Sequence, residues 1–160
     1  MCEPCLTNPH THSFDSIGEV SGCHVFYTSF QHLIDYSNFD AIQTHIETDL
    51  ARISGKPWSW IIDCQYLGSS HLFQLRVAVL LIKYLRRTHP ETMRSLYLLN
   101  GGFLLTTALK GLGPFIDQVF YNSIITLDGT RLELFRRFRE RGWTGRPFQT
   151  IMARLASEYN

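Results

Sequence analysis

The sequence predicts a single α/β domain with a mainly parallel sheet and helices packed against it. Segments typical of strands and of helices alternate along the chain four times, which is the pattern of parallel strands joined by crossover helices. The segment WSWIIDC is apolar almost throughout, as a strand buried on both faces is. The 160 residues suffice for one core, and no linker or internal repeat divides them.

The chain begins irregularly and then enters a strand. Residues 1–20 contain Pro, Asn, His, Ser and Gly with little periodicity, so we expect a loose N-terminal arm there and the folded domain over 21–160. Residues 22–30, GCHVFYTSF, are rich in β-branched and aromatic side chains and follow a glycine. They predict the first strand.

A helix and a second strand follow. Apolar residues recur at helical spacing over 37–53, Ser37 is a candidate cap, and Asp40 stands three residues later. The residues Gly-Lys-Pro at 55–57 end this helix. The segment at 58–64 is the buried second strand.

The middle of the chain repeats this order with a longer helix. After Gly68, a helix is predicted to begin at Ser69 or Ser70 and to run to Thr88, where His-Pro ends it. Its apolar residues surround almost the whole circumference near its centre. Residues 94–100, RSLYLLN, predict the third strand.

The last part of the chain adds three helices, a short turn and one strand. A helix over 103–113 ends in two glycines, and 117–122 is consistent with a short helical turn. Residues 123–129 predict the fourth strand. The helix at 130–141 has a threonine as its cap, and a short helix is predicted over 147–157.

Neither end of the chain nor any internal run resembles a membrane segment. The N-terminus lacks the apolar core of a signal peptide, and the longest apolar region is interrupted by Gln74 and Arg76, short of the roughly 18 residues that a membrane span needs. We therefore expect a cytoplasmic protein, at most peripheral to membranes. The cysteines of such a protein are expected to be reduced; they are Cys2, Cys5, Cys23 and Cys64.

Charge is concentrated in one segment. The net charge is +1, which gives no general attraction to nucleic acid. Between Arg131 and Arg146, however, six Arg stand against two Glu. Such a face suits phosphate groups, an anionic membrane surface or an acidic protein, and it also suits a solvated helix whose arginines pair with nearby acids.

The sequence contains no recognisable catalytic set. Asp63 and Asn100 stand at the carboxyl ends of predicted strands, where parallel sheets place functional groups. A lone carboxylate without a second acid, a base or a phosphate-binding loop is more typical of a turn cap. Neither a dinucleotide fingerprint, a P-loop nor a nucleophile elbow occurs. We therefore expect a protein that is not an enzyme and uses no cofactor.

Metal-ligating residue types occur near the N-terminus. Cys2-x-x-Cys5 with His10 and His12 contains the donors that zinc takes. The spacing is cramped and no second cysteine pair follows. The prediction is that no metal is bound there.

Apolar residues are in excess after the Gly-Gly pair. Ten of them fall within nineteen residues: Phe103, Leu104, Leu105, Leu109, Leu112, Phe115, Ile116, Val119, Phe120 and Tyr121. One helix does not bury all of these against one sheet face, so either other helices or an apolar ligand covers the surplus. The flanking glycines would allow the segment to move as a lid, and an ordinary core helix with two glycine stops fits the same residues.

The same residues carry a resemblance to a known family. The segment WIIDCQYLG, the long helix after it, and HPETMRSLYLLNGGFLLTTALKGLGPFID resemble the CRAL-TRIO lipid-transfer domain in order and without interruption over 58–130. The helical extension that usually precedes this domain is not found, so the chain resembles a short, divergent form of it.

This resemblance implies a non-enzymatic lipid carrier. The sheet would form the floor of an apolar pocket, and a helical gate at about 115–122 would cover it. Each CH₂ group that enters a dry pocket contributes about 0.8 kcal/mol. The pocket and gate residues that follow from it are Phe103, Leu105, Leu109, Leu112, Phe115, Ile116, Val119 and Phe120.

The resemblance also suggests where a headgroup or a membrane would bind. Glu91 matches the turn glutamate of the family's phosphoinositide binders, whereas Ser123 stands where they have lysine. Arg136, Arg137 and Arg139 are candidates for membrane contact. The alternatives are a scaffold of the divergent subgroup, which binds small GTPases or self-associates without lipid, and a STAS-like regulator, since WIIDCQYLGSS also resembles that family. An enzyme that uses Asp63 is the least favoured.

Overall fold

A computed structural model describes residues 3–8, 11–31, 36–72, 75–115 and 117–157. The elements in chain order are α1 (Glu3–Thr7), β1 (Asp15–Val20), β2 (Cys23–Ser29), α2 (Phe39–Arg52), β3 (Trp58–Asp63), α3 (Ser69–Leu72), α4 (Leu75–Thr88), β4 (Met93–Leu99), α5 (Gly102–Leu112), a 3₁₀ turn (Gly113–Phe115), α6 (Gln118–Ser123), β5 (Ile124–Leu127), α7 (Arg131–Glu140) and α8 (Gly145–Ser157).

The five strands form one mixed sheet in the order β1-β2-β3-β4-β5. Strands β2 to β5 are parallel, and β1 pairs antiparallel with β2 at the edge. Five of the six residues of β3 are buried, as its apolar sequence predicts for a central strand. The predicted α/β class with a mainly parallel sheet is therefore confirmed.

The connections between the parallel strands all lie on one face. Each of β2, β3 and β4 is followed by helices and then by its direct neighbour in the sheet. Such crossovers are right-handed. From β2 to β5 the chain moves across the sheet in one direction, so all the connecting helices lie on the same side of it. This face carries a core cluster to which the sheet contributes Phe26, Trp58, Trp60, Leu96 and Leu98.

The opposite face is covered by the last two helices. Helices α7 and α8 bury Leu134, Phe138 and Ile151 in a second cluster that contains Tyr27, Ile61, Tyr97 and Leu99 of the sheet. Strand residues alternate between the two clusters with the period of two that a pleated strand has. Helix α8 packs against β1, and Arg154 Nη1 lies 2.7 Å from Asp15 Oδ2.

The expectation of a loose arm over residues 1–20 is wrong for the part that the structure describes. Helix α1 and edge strand β1 lie in this range. A two-residue turn with positive φ at Ser21 (51°) and Gly22 (76°) joins β1 to β2, and such turns match the twist of a hairpin. Strand β1 is held mainly by backbone pairing, which leaves little trace in side-chain pattern.

Other boundaries differ from the predicted ones in detail. The N-cap of α2 is Asn38 rather than Ser37, and its side chain accepts a hydrogen bond from Ala41 N. The predicted helix over 69–88 is described as α3 and α4, and residues 73 and 74 between them lie outside the described ranges. Helix α8 begins two residues before the predicted 147.

Thr130 begins α7 as predicted, with a complete capping box. Its hydroxyl accepts a hydrogen bond from Glu133 N, and the Glu133 carboxylate accepts one from Thr130 N at 2.7 Å. Hydrogen bonds from the backbone N–H and the hydroxyl of Thr130 hold the pKa of the Glu133 carboxyl below its ordinary value. The box fixes where the chain turns from β5 onto the second face.

Replacing Thr130 with alanine is expected to lower the free energy of unfolding by about 1 kcal/mol, because the backbone N–H of Glu133 loses its acceptor. Urea unfolding followed by circular dichroism measures this change. Thr130→Ser keeps the hydroxyl and serves as the matched control. Equal stability of the alanine variant and the unchanged protein would show that the box does not contribute to stability.

Candidate functional site

An apolar cavity of about 130 Å³ lies between the sheet and helices α4 and α5. Its floor is formed by strand residues of the crossover face, and its walls by apolar residues on one side of each helix. The main lining residues are Trp60, Ile62, Leu96 and Leu98 of the sheet, Ala78, Leu81, Ile82 and Leu85 of α4, and Leu105, Ala108 and Leu109 of α5.

Two hydrogen bonds within the protein engage polar groups at the cavity wall. Trp60 Nε1 donates a hydrogen bond to Thr28 Oγ1 at 2.9 Å. Gly68 N donates one to His71 Nδ1 at 2.9 Å. Burial raises the pKa of the Cys64 thiol, so this group stays protonated and unreactive. The lining therefore suits an apolar group rather than a charged one.

The size of the cavity limits what it holds in this state. An apolar cavity of about 150 Å³ accommodates a molecule the size of benzene. The cavity described here therefore has room for no more than a short stretch of hydrocarbon. A longer acyl chain requires α4 or α5 to move away from the sheet.

The structure divides the predicted pocket and gate residues into separate groups. Leu105 and Leu109 line the cavity. Phe120 is buried in the core cluster of the same face, with the Arg86 guanidinium 5.4 Å from its ring centre. Phe103 and Val119 are 82% and 72% exposed. The side chains of Leu112 and Phe115, and residue Ile116 as a whole, lie outside the described part of the chain.

The residues predicted to contact a headgroup or membrane do not line the cavity. Glu91 is exposed in the turn before β4. Arg136, Arg137 and Arg139 are exposed on α7, which covers the opposite face of the sheet. The structure therefore does not assemble Glu91, the arginines and the cavity into one site.

A tight junction fixes the start of α5. Asn100 and Gly102 have positive φ values of 52° and 53°, which asparagine and glycine adopt with little strain. A methyl group added to Gly101 would lie 2.2 Å from the Leu105 side chain. Asn100 Oδ1 accepts a hydrogen bond from Gly129 N at 3.1 Å, which ties the junction to the end of β5.

The glycines at the other end of α5 have no such constraint. A methyl group added to Gly111 or Gly113 would meet no atom within 4 Å, and neither residue has positive φ. The first end of the helix is thus fixed by the backbone geometry of Asn100 and the glycines after it. The end at Gly111 and Gly113 does not require glycine.

Asp63 has a structural role in this arrangement. Its carboxylate accepts hydrogen bonds from Tyr27 Oη at 3.1 Å and from Gln65 N at 3.0 Å. It alternates with Ile62 along β3, so it points to the face opposite the cavity. Asp63 therefore closes the turn after β3, which is the role that the sequence favoured for it.

A group of metal-ligating side chains lies elsewhere. Cys5 and His12, both from the predicted N-terminal set, meet His45 of α2, and the three residues are buried. Cys2 and His10 of that set lie outside the described residues. His45 was missed in the sequence because it stands within an ordinary amphipathic helix, where its contact with a distant segment leaves no signal.

The cavity also contains residues that the sequence did not single out. Ala78 and Ala108 are small residues on the helix sides that face the sheet, and Trp60 and Leu96 form part of the floor. The signal for the alanines was their size within otherwise bulky apolar helices. A floor residue carries no such signal, since a strand side chain under a cavity looks like any core residue.

Comparison with known proteins does not assign the chain to a family. No protein-family model matches it, and no curated protein is significantly similar to it in sequence. Within the described ranges, none of the helices combines the length and the apolar character needed to cross a bilayer.

Replacing Asp63 with alanine is expected to lower the free energy of unfolding by about 1–3 kcal/mol, because two hydrogen bonds to its carboxylate are lost, one of them buried. Asp63→Asn keeps one carbonyl oxygen as an acceptor and should fall between the two proteins. Urea unfolding measures both variants. Full stability of the alanine variant would contradict the structural role and reopen a functional one.

Proposed function

We propose that this protein binds the hydrocarbon part of a lipid, without chemical reaction, in the cavity between the sheet and helices α4 and α5. The observation that carries the proposal is the cavity itself, whose lining is almost entirely apolar. Each CH₂ group of the ligand that leaves water for the cavity would contribute about 0.8 kcal/mol to the free energy of binding.

The resemblance of residues 58–130 to the CRAL-TRIO domain supports the same function. In that family a sheet forms the floor of the pocket and a helical segment covers it. Here Leu105 and Leu109, which the resemblance selects as pocket residues, stand on the cavity side of α5. Transfer of the bound lipid between membranes is the expected cellular role, and cytoplasmic location peripheral to membranes goes with it.

Ligand entry requires an opening, and the two ends of α5 suggest how it forms. The Asn100–Gly102 junction is fixed by positive φ values and by the hydrogen bond to Gly129. At the other end, a methyl group added to Gly111 or Gly113 would meet no atom within 4 Å, so neighbouring atoms do not hold this end in place. In the proposal, α5 swings about its fixed first turn, and its glycine-flanked end moves away from the sheet.

The exposed apolar residues suggest which surface meets the membrane. Phe103 projects into solvent from the same helix that forms the cavity wall. The arginines of α7 lie on the far face of the sheet. We propose that the membrane contacts the α5 side, and that Arg136, Arg137 and Arg139 serve another, acidic partner.

A protein-interaction scaffold is the second candidate. The observation that favours it is the small size of the cavity, which in this state does not contain a whole lipid. The exposed Phe103 and Val119 would then contact a protein, such as a small GTPase or a second copy of this chain. This function predicts no bound lipid.

Native mass spectrometry after incubation with phosphatidylcholine vesicles separates the two candidates. We expect the mass of the protein plus one lipid, and a severalfold smaller bound fraction for Leu109→Trp, whose side chain fills the cavity. Lys110→Trp adds the same group to the exposed side of α5 and is the matched control. A bare mass, or equal uptake by both tryptophan variants, would contradict lipid binding in this cavity.

Replacing Gly111 with alanine tests the opening of α5. Alanine favours the helix, so the free energy of unfolding should rise by about 0.5–1 kcal/mol, and lipid release from the protein should become slower. Stopped-flow transfer of a fluorescent phosphatidylcholine to acceptor vesicles measures the release rate. Lys110→Ala, in the same turn, controls for a change on this surface. Faster or unchanged release in a stabilised Gly111→Ala variant would argue against α5 as the gate.

A further inference from the structure

Three buried side chains with metal-ligating atoms meet on the crossover face, in a group distinct from the lining of the cavity. Cys5 comes from α1, His12 from the segment before β1, and His45 from α2. Their exposed fractions are 0%, 2% and 6%. One ligand atom from each lies within 4.8 Å of the others.

The distances within this group are close to those of a zinc site. Zinc bonds of about 2.3 Å to sulfur and about 2.0–2.1 Å to nitrogen, at tetrahedral angles, place a sulfur and a nitrogen ligand roughly 3.5 Å apart. Cys5 Sγ and His12 Nδ1 are separated by 3.4 Å. The remaining pairs of ligand atoms lie within 4.8 Å, so they would have to approach by at most about 1.5 Å to reach this geometry. Without an ion, the same 3.4 Å contact is a hydrogen bond between Cys5 and His12.

The surrounding structure holds the ligands in place. Ser13, next to His12, has a positive φ of 46°, and its hydroxyl accepts a hydrogen bond from Ser29 N of β2 at 3.1 Å. Thr11 donates a hydrogen bond to the carbonyl oxygen of Asn8 at 2.8 Å. The strained backbone at Ser13 and these anchors turn His12 inward, and such strain persists where the surroundings enforce it.

His45 has an outer contact of the kind that zinc-binding histidines commonly have. Its ring has a hydrogen bond to the backbone of Phe14, which leaves one of its two nitrogens for the metal, and a backbone partner of this kind orients the ring of a ligating histidine. The Asp49 carboxylate, one turn further along α2, lies 3.4 Å from His45 Nε2 and places negative charge beside the site. The His12 and His45 rings stand edge to face with their centres 5.5 Å apart.

We infer that Cys5, His12 and His45 form a structural zinc site. The thiolate and two neutral imidazoles are ligands that Zn²⁺ prefers, and the described residues supply three of four tetrahedral positions, with the fourth left to water or to a further donor. Burial keeps substrates away, so the ion would join the N-terminal segment to α2 rather than catalyse a reaction. This inference goes beyond the proposed lipid binding and does not depend on it.

Zinc titration of the reduced full-length protein, after removal of metal with a chelator, tests the site. We expect about one Zn²⁺ per chain by inductively coupled plasma mass spectrometry and a higher Tm with zinc than without it. With Co²⁺ as the probe, a thiolate-to-cobalt absorption band should appear. Less than stoichiometric zinc on the folded protein, with no such band, would overturn the inference.

Variants then assign the ligands. Cys5→Ser, His12→Gln and His45→Gln should each lower zinc affinity by more than about tenfold, and Cys5→Ser should remove the cobalt–thiolate band. Cys23→Ser and His24→Gln change the same residue types in β2 and should bind zinc like the unchanged protein. Circular dichroism shows whether each variant folds. A thiolate band that persists in folded Cys5→Ser or is lost in Cys23→Ser would contradict the assignment. If Cys5→Ser does not fold, the two histidine variants decide, and unchanged zinc affinity in either folded variant would contradict the assignment.

Discussion

The consecutive strand order β2-β3-β4-β5 is the constraint on which the rest of the structure depends. Each parallel strand is reached by a right-handed crossover from its neighbour, so all connecting helices lie on one face. The other face is covered by helices α7 and α8, which follow the last parallel strand in the chain. The sheet therefore separates two cores with different origins, one built by crossover helices and one by the terminal helix pair.

The cavity is a consequence of how the crossover helices meet the sheet. Protein interiors are packed nearly without voids, so a cavity needs a local shortage of side-chain volume. Ala78 of α4 and Ala108 of α5 provide this shortage, because both face the sheet where a leucine would reach the floor. The terminal-helix face instead packs Phe138, Trp143 and Phe148 against one another, with ring centres of Phe138 and Trp143 5.1 Å apart.

Much of the fold could be predicted from the sequence because most elements carry a local signal. Strand β3 is a continuous apolar run, and Thr130 marks the start of α7. The bounds of both elements were predicted to within one residue. Strand β1 was missed because Ile17 is its one buried side chain and its register is irregular next to it. Backbone pairing with β2 holds this strand in place, and such pairing does not produce a periodic pattern of side chains.

The candidate sites were less predictable than the fold because they depend on contacts between distant segments. Leu105 and Leu109 were selected by the resemblance to the CRAL-TRIO domain, and their spacing of four residues places them on the same side of a helix. The floor of the cavity depends on which helix lies above each strand, and this is decided by the strand order. His45 meets Cys5 and His12 through the same long-range packing, which a motif of fixed spacing does not describe.

The apolar surplus after the Gly-Gly pair is therefore divided by helix geometry rather than gathered in one place. Phe103 precedes Leu105 by two residues, or about 200° around the helix, so the residue that faces solvent and the residue that faces the cavity stand on opposite sides of α5. A lipid carrier must both exclude water from its ligand and touch the membrane that supplies it. In the proposed function one helix does both, because Phe103 in the fixed first turn would anchor the protein to the membrane while the other end of α5 moves away from the sheet. The anchored end and the moving end would then place the opening of the cavity next to the membrane that supplies the lipid.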